Sequence, residues 1–187
     1  MRLLQDGAIL VFLPGWDDIG YVKHLLEDPA AGFPAEQYAV LPLHSGINPS
    51  EQNKVFVSYG SRRKIVLSTN VAETSLTIDD VVYVINSGYM KEKSYDPFTG
   101  VSALKVSLVS SASERQRRGR AGRCQPGVCF HLYSSAVAAE LPVCSPLLLR
   151  IRRFCSTTEA NLAPARSTSE QLCHVVTSKL LFSPGAH

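Results

Sequence analysis

Apolar and polar positions follow two rhythms along this chain, with one interruption. Residues 8–13 form a continuous apolar run stopped by Pro14-Gly15, the pattern of a strand covered on both faces in a parallel sheet. Ile19, Val22, Leu25 and Leu26 then recur at helical spacing, with Asp17 or Asp18 placed to cap the helix. A second strand over 38–43 leads into Asn48-Pro49-Ser50-Glu51. That tetrapeptide resembles a capping box with proline at the first helical position, opening a helix that runs to about Val57. Residues 64–69 and 81–85 predict the third and fourth strands, joined by a short polar connection. Over 89–109 the rhythm changes: two stretches of alternating character flank Asp96-Pro97-Phe98-Thr99-Gly100, whose turn chemistry predicts an inserted β-hairpin. A helix from near Ser113 and a strand over 128–133 close the pattern. Strands alternating with helices predict βαβ units, hence an α/β fold built on a parallel sheet.

After Leu141 the periodicity fades. Residues 142–187 read as an irregular tail with one candidate helix over 169–181, and no internal repeat occurs. The division expected is therefore 1–141 for the folded lobe, with its hairpin at 89–109, and 142–187 for the tail.

Composition narrows the class. With 187 residues, 45% of them apolar, the chain can bury the core of one globular domain, which excludes disordered, collagenous and fibrous types. No apolar run reaches the roughly 18 residues of a membrane-spanning helix, and no secretory leader pattern follows Met1. The expectation is a protein, or a piece of one, inside the cell, in nucleus or cytoplasm, with no membrane partner. The net charge of +3 comes from one local device: Arg115, Arg117, Arg118, Arg120 and Arg123 fall within nine residues, and without them 14 basic residues face 16 acidic ones. A surface coated for nucleic acid would spread its charge more widely. The cysteines at 124, 129, 144, 155 and 173 are odd in number and lack metal-site spacing, so no metal site or disulfide frame is predicted.

The chemistry concentrates where strands end, because an open parallel sheet binds ligands beyond its carboxyl edge. The ends read Pro14-Gly15-Trp16-Asp17-Asp18, His44-Ser45-Gly46 and Ser68-Thr69-Asn70-Val71-Ala72-Glu73-Thr74-Ser75-Leu76-Thr77-Ile78-Asp79-Asp80, rich in small hydroxyl and amide groups that can donate to phosphates. Trp16 is expected to pack at its strand end. Phe56, at the end of an amphipathic helix, reads from its position as a core residue. Further on, Gln116-Arg117-Arg118-Gly119-Arg120-Ala121-Gly122-Arg123 would, as a helix, place Gln116, Arg120 and Arg123 on one face. One amide and two guanidinium groups pointing together form a phosphate clamp with a group to position water. His24, His131, His174 and His187 give no signal of their own.

These blocks carry a resemblance. ILVFLPGWDDI, LPLHSGI, EQNKVF, KIVLSTNVAETSLTIDDVVYVINSG, KEKSYDP and SASERQRRGRAGRCQPGVCFHLYS resemble, in order, the second RecA-like lobe of a DEAH-box RNA helicase, with FLPGW closest to the RNA helicase A-like branch. The resemblance implies a three-layer RecA-like sheet with a hairpin insert, acting in an ATP-dependent RNA helicase. It implies that Gln116, Arg120 and Arg123 address the γ-phosphate and attacking water, with Arg120 or Arg123 as arginine finger. Thr77 and Asp79 would meet the ribose side of the nucleotide, and Phe56 would stack on its base. Ser45, Gly46, Thr69 and Asn70 would hold the RNA backbone, Glu73 and Thr74 would couple the two sites, and the hairpin would act as the wedge at a duplex junction. The partners implied are RNA and a first RecA-like lobe, and the cofactors are ATP and a Mg2+ held by that other lobe.

The chain departs from the family in two respects. Neither G-x-x-x-x-G-K-[ST] nor D-E-x-H occurs in it, and those motifs hold the phosphates and magnesium. The 187-residue segment alone is therefore expected to be inactive. The second departure is 142–187, an irregular tail or an altered start of the winged-helix domain that follows in the family. A rival expectation is a non-catalytic RNA- or partner-binding fragment that keeps the fold.

Overall fold

A computed structural model describes residues 6–74, 76–95 and 100–143 of the chain. Strand β1 (Ala8–Phe12) is followed by α1 (Trp16–Glu27), β2 (Tyr38–Leu43), α2 (Pro49–Gln52) and β3 (Arg63–Ser68). Then come α3 (Val71–Thr74), β4 (Val81–Asn86), the hairpin strands β5 (Tyr89–Tyr95) and β6 (Ser102–Leu108), α4 (Ser111–Arg118), β7 (Val128–His131) and α5 (Ser135–Ala139). Five strands form one parallel sheet in the order β2-β3-β1-β4-β7. Strand β5 pairs with β6 antiparallel, from Tyr89 opposite Leu108 to Tyr95 opposite Ser102.

The unbroken apolar runs predicted strands covered on both faces, and β1, with all five residues buried, is one. Its alternate residues feed two cores. Ile9 and Val11 join Ile65, Leu67 and Ile85 under Ile19, Val22 and Leu26 of α1, while Leu10 and Phe12 join Leu43, Val66 and Val84 against Val55, Ala72 and Ile78. A sheet with apolar cover on each face is the three-layer α/β arrangement expected.

The local starts and stops differ from expectation in several places. Helix α1 is entered from extended Gly15, and Asp17 and Asp18 sit in its first turn without capping it, a place where carboxylates favour the positive helix end. Asn48 makes no side-chain cap, Glu51 turns to Lys54 at 2.7 Å, and the helix tightens into a 3-10 turn over Asn53–Phe56. The polar connection after β3 contains a full turn, α3. The candidate helix at 169–181 and the tail beyond 143 lie outside the described residues. Among the described residues no helix is long and apolar enough to cross a membrane.

Candidate functional site

Parallel strands put the chain segments after β2, β3, β1 and β4 along one edge of the sheet, where Ser45, Gly46, Thr69 and Asn70 lie, whereas Asp79, just before β4, and Phe56, which shares an opening with Lys64 at the start of β3, lie at the opposite, amino edge, against the expectation from the sequence. Ser45 and Gly46 follow β2, and Thr69 and Asn70 follow β3, which is its neighbour. Ser45, Gly46 and Asn70 are exposed, whereas Thr69 is buried and its amide reaches Leu43 O at 3.4 Å. The loop after β2 is held from within: Gly46 N donates to His44 Nδ1 at 3.0 Å, and Gln52 Nε2 donates to the carbonyls of His44 and Ile47.

The arginine segment takes a shape the sequence did not suggest. Helix α4 ends at Arg118, its cap Ser110 accepting from Ser113 N. Gln116 is exposed on its last turn, while Arg120 and Arg123 lie beyond it in hydrogen-bonded turns that reverse at Gly122, whose φ of 82° suits glycine. The three side chains therefore do not form one helical stripe. Two of them nonetheless converge on α3 and the segment that follows it. Arg123 Nη1 donates to Thr77 Oγ1 at 2.7 Å, and Arg120 donates to the carbonyls of Leu76, at 3.2 Å, and Glu73. Burial, and then the like charge of Arg123, hold the Arg120 guanidinium below its ordinary value.

Two residues past Thr77, Asp79 lines a cavity of about 290 Å³ together with Phe56, Val55, Ser58, Lys64, Ile78 and Asp80. Phe56 is 47% exposed at this opening rather than in the core. Lys64, buried, is fixed by Asp80 at 2.9 Å and the Val55 carbonyl at 2.8 Å. Phe56 and Asp79 thus share one opening, Thr77 stands between it and the arginines, and Ser45, Gly46 and Asn70 lie at other strand ends.

Between these places sits a buried polar knot. Glu73 on α3 accepts from Arg117 Nε at 2.6 Å and from Ser113 Oγ at 3.0 Å, both on α4. Arg117, fully buried, also donates to Asn86 Oδ1 at 2.9 Å and Tyr89 O at 3.1 Å, and its guanidinium lies 4.9 Å from the Phe12 ring centre. One side chain therefore ties α3, α4, the end of β4 and the start of the hairpin. Burial pushes the Arg117 guanidinium below its ordinary value, and Glu73 opposes that shift. Thr74, by contrast, is exposed.

The knot reaches one step further. Asn86 Oδ1 accepts from both Arg117 and Gly88 N, which fixes its amide so that Nδ2 faces Tyr133 Oη at 3.3 Å and His131 Nδ1 at 3.4 Å. His131 Nδ1 must then accept, which leaves the ring proton on Nε2, 3.2 Å from Glu114 Oε1. Cys129 Sγ lies 3.7 Å from the same Nε2. Because Glu114 and Cys129 meet one nitrogen, and burial followed by Glu114 pushes the thiol up to about 12, the trio is not a nucleophilic triad. Sequence reading missed Arg117, Ser113, Asn86 and His131. Arg117 was hidden among like neighbours, and the only available signal was that a polar Asn86 closes an otherwise apolar strand.

Among the described residues, no group of three or more His, Cys, Asp or Glu side chains stands together as a metal site.

Comparison with known proteins shows the family and the fold. Residues 1–125 match the helicase conserved C-terminal domain. Over 140 residues the chain is 58% identical to the DExH-box ATP-dependent RNA helicase DExH6 of Arabidopsis thaliana, covering 74% of this chain and 11% of that protein. It is 48% identical over 138 residues to the ATP-dependent DNA/RNA helicase DHX36 of Homo sapiens, covering 73% of this chain and 14% of the other. The crystal structure of the E. coli DExH-box NTPase HrpB superposes with a TM-score of 0.67 at 34% identity, over 76% of this chain and 17% of that one. The chain thus spans between 11% and 14% of the length of these two curated relatives.

Proposed function

The chain belongs to the helicase conserved C-terminal domain family, as a RecA-like lobe of the DExH/DEAH-box type, and from that premise we propose that it supplies half of an ATP site and part of an RNA track. ATP lies between this lobe and a first lobe that carries the phosphate loop and Mg2+. Arg120 and Arg123 meet the γ-phosphate, and Gln116 orients the attacking water. Arg123 is the finger, because its one bond is to a rotatable hydroxyl, whereas Arg120 is committed to two backbone carbonyls. Charge that develops on the transferred phosphoryl group is stabilised by a guanidinium already held in place. Phe56 stacks on the base and Asp79 and Thr77 take the ribose side. A ring accepts any base face, so selectivity among nucleoside triphosphates is weak.

Ser45, Gly46 and Asn70 hold the RNA backbone, with Thr69 as the floor beneath them, and this gives tracking without sequence readout. Glu73 couples the two sites through Arg117, with Thr74 beside it, and the hairpin separates strands. The observation that carries this reading is that segment 77–79 joins the arginine pair to the opening lined by Phe56 and Asp79.

The test is RNA-stimulated ATP hydrolysis by the 187-residue chain alone and by the same lobe joined to a first lobe with a phosphate loop and D-E-x-H box. The joined protein hydrolyses ATP and the lone chain does not. Robust turnover by the lone chain overturns the division of the site between lobes.

A further inference from the structure

Trp16 is the single tryptophan of the chain. Just past the end of β1 it is 44% exposed, which leaves part of a large aromatic ring open to solvent. It is also held. The ring lies 5.4 Å from the His44 ring, tilted by 45°, and His44 is itself fixed by the Gly46 N–H on its Nδ1. Gln52 pins the carbonyls of the same loop. One flank of the indole is therefore braced by a side chain that cannot easily turn, and the ring reaches solvent.

Its position matters more. Strand order β2-β3-β1 aligns three ends: Ser45 and Gly46 after β2, Asn70 after β3, and Trp16 after β1. Contact between Trp16 and His44 closes that row across β3. A cation completes the setting, for Lys91 Nζ, at the root of the hairpin, packs against the backbone of Gly15 and pairs with Asp17 at 3.0 Å.

We propose that Trp16, braced on His44, is a stacking platform for one base of single-stranded RNA at the end of the strand-end row, with Lys91 facing the adjoining phosphate. The platform gives the track a hold on a base beside its holds on the backbone, and it is sequence-tolerant because every base has a π-face. The inference rests on the RNA-track reading above and adds to it a base contact that the backbone residues cannot make.

A sole tryptophan makes the test direct. Unlabelled decaadenylate RNA is titrated into the 187-residue chain while indole emission is followed, and binding is measured separately by the anisotropy of a fluorescein-labelled copy. The expected result is a saturable fall in emission with the same midpoint as the anisotropy, and no fall with a bound oligomer whose central positions are abasic. Trp16→Ala then weakens decaadenylate binding about fivefold or more and leaves abasic binding unchanged, while Trp16→Phe keeps most of the affinity. Emission that stays constant at RNA saturation, or falls equally with abasic RNA, overturns the platform and leaves the backbone track standing. No anisotropy change with either oligomer overturns both. The wild-type emission decides the matter even if the alanine variant fails to fold.

Discussion

Arg117 and Arg123 stand six residues apart in one arginine run, and the fold treats them in opposite ways. Arg117 points inward and uses Nε on Glu73 and Nη1 on Asn86 and the Tyr89 carbonyl, with no exposed surface left. Arg123 lies past the end of α4, exposed, with one bond to Thr77. A buried guanidinium is fixed by desolvation, because removing its partner would strand a charge; an exposed one remains free to meet a phosphate. The buried knot sets where things are, and the open shelf is available for chemistry.

The sharpest way to break this contrast is to remove each arginine in turn. In a protein that joins this lobe to a first lobe, Arg123→Ala lowers ATP hydrolysis by about three to five orders of magnitude and leaves RNA affinity and melting temperature near wild type. Steady-state kinetics beside an RNA-binding titration measure this. Changed RNA affinity with normal turnover removes Arg123 from the finger role. Arg117→Met does the reverse within the 187-residue chain. It leaves Glu73 buried and unpaired, at a cost of about 3–5 kcal/mol in urea unfolding. The double variant Glu73→Gln with Arg117→Met recovers much of that loss, since no charge is then left buried. A double variant that loses the sum of what Arg117→Met and Glu73→Gln each lose alone would show that the pair is not coupled.

The same contrast explains what could be read from the sequence. The sheet was legible because β1, β3 and β4 are apolar on both faces, and a strand of that kind needs no tertiary information to recognise. The hairpin was legible from its turn residues. Helix ends were not. Gly15 enters α1 where Asp17 or Asp18 was expected, and the arginine run leaves the helix at Gly119, because local spacing cannot say when a tertiary partner outweighs helical continuation. Phe56 looked like a core residue by its period, yet it faces the opening beside Asp79. Resemblance supplied Arg120, Arg123 and Thr77 as a set; only coordinates show Arg117 turning inward, since four like neighbours share its type and its local pattern.

Two cysteines repeat the comparison at smaller scale. Cys124 follows Arg123 on the exposed shelf, whereas Cys129 lies half-buried beside Glu114, its thiol pushed up to about 12. Only the thiolate alkylates, so at pH 8 iodoacetamide modifies Cys124 roughly tenfold or more faster than Cys129, read by mass spectrometry of the two peptides. Equal rates would mean that the edge of β7 opens readily, and the knot would not extend as far as Cys129.

The gentlest probe titrates the outer member of the knot. His131 is faced by Glu114 and Arg118 from α4, by Cys129 from its own strand, by Asn86 from β4 and by Tyr133. Burial holds its imidazole below its ordinary value, with Glu114 opposing and Arg118 reinforcing. The sign follows from proton counting: below about pH 6.5 the unfolded chain takes up the proton first, so stability falls as pH drops from there toward the lowered folded value. Above pH 6.5 this group contributes no slope. Protonation at Nδ1 would set an N–H against the Asn86 amide, whose orientation Arg117 fixes, so the proton should also loosen Arg117. His131→Asn keeps an acceptor without the titration. Urea midpoints from pH 5 to 8 should therefore show a shallow acid limb, of less than one proton, in the wild type and a flatter one in the variant. If both limbs are identical, His131 does not feel the knot and the contrast between buried and open arginines stops at Asn86.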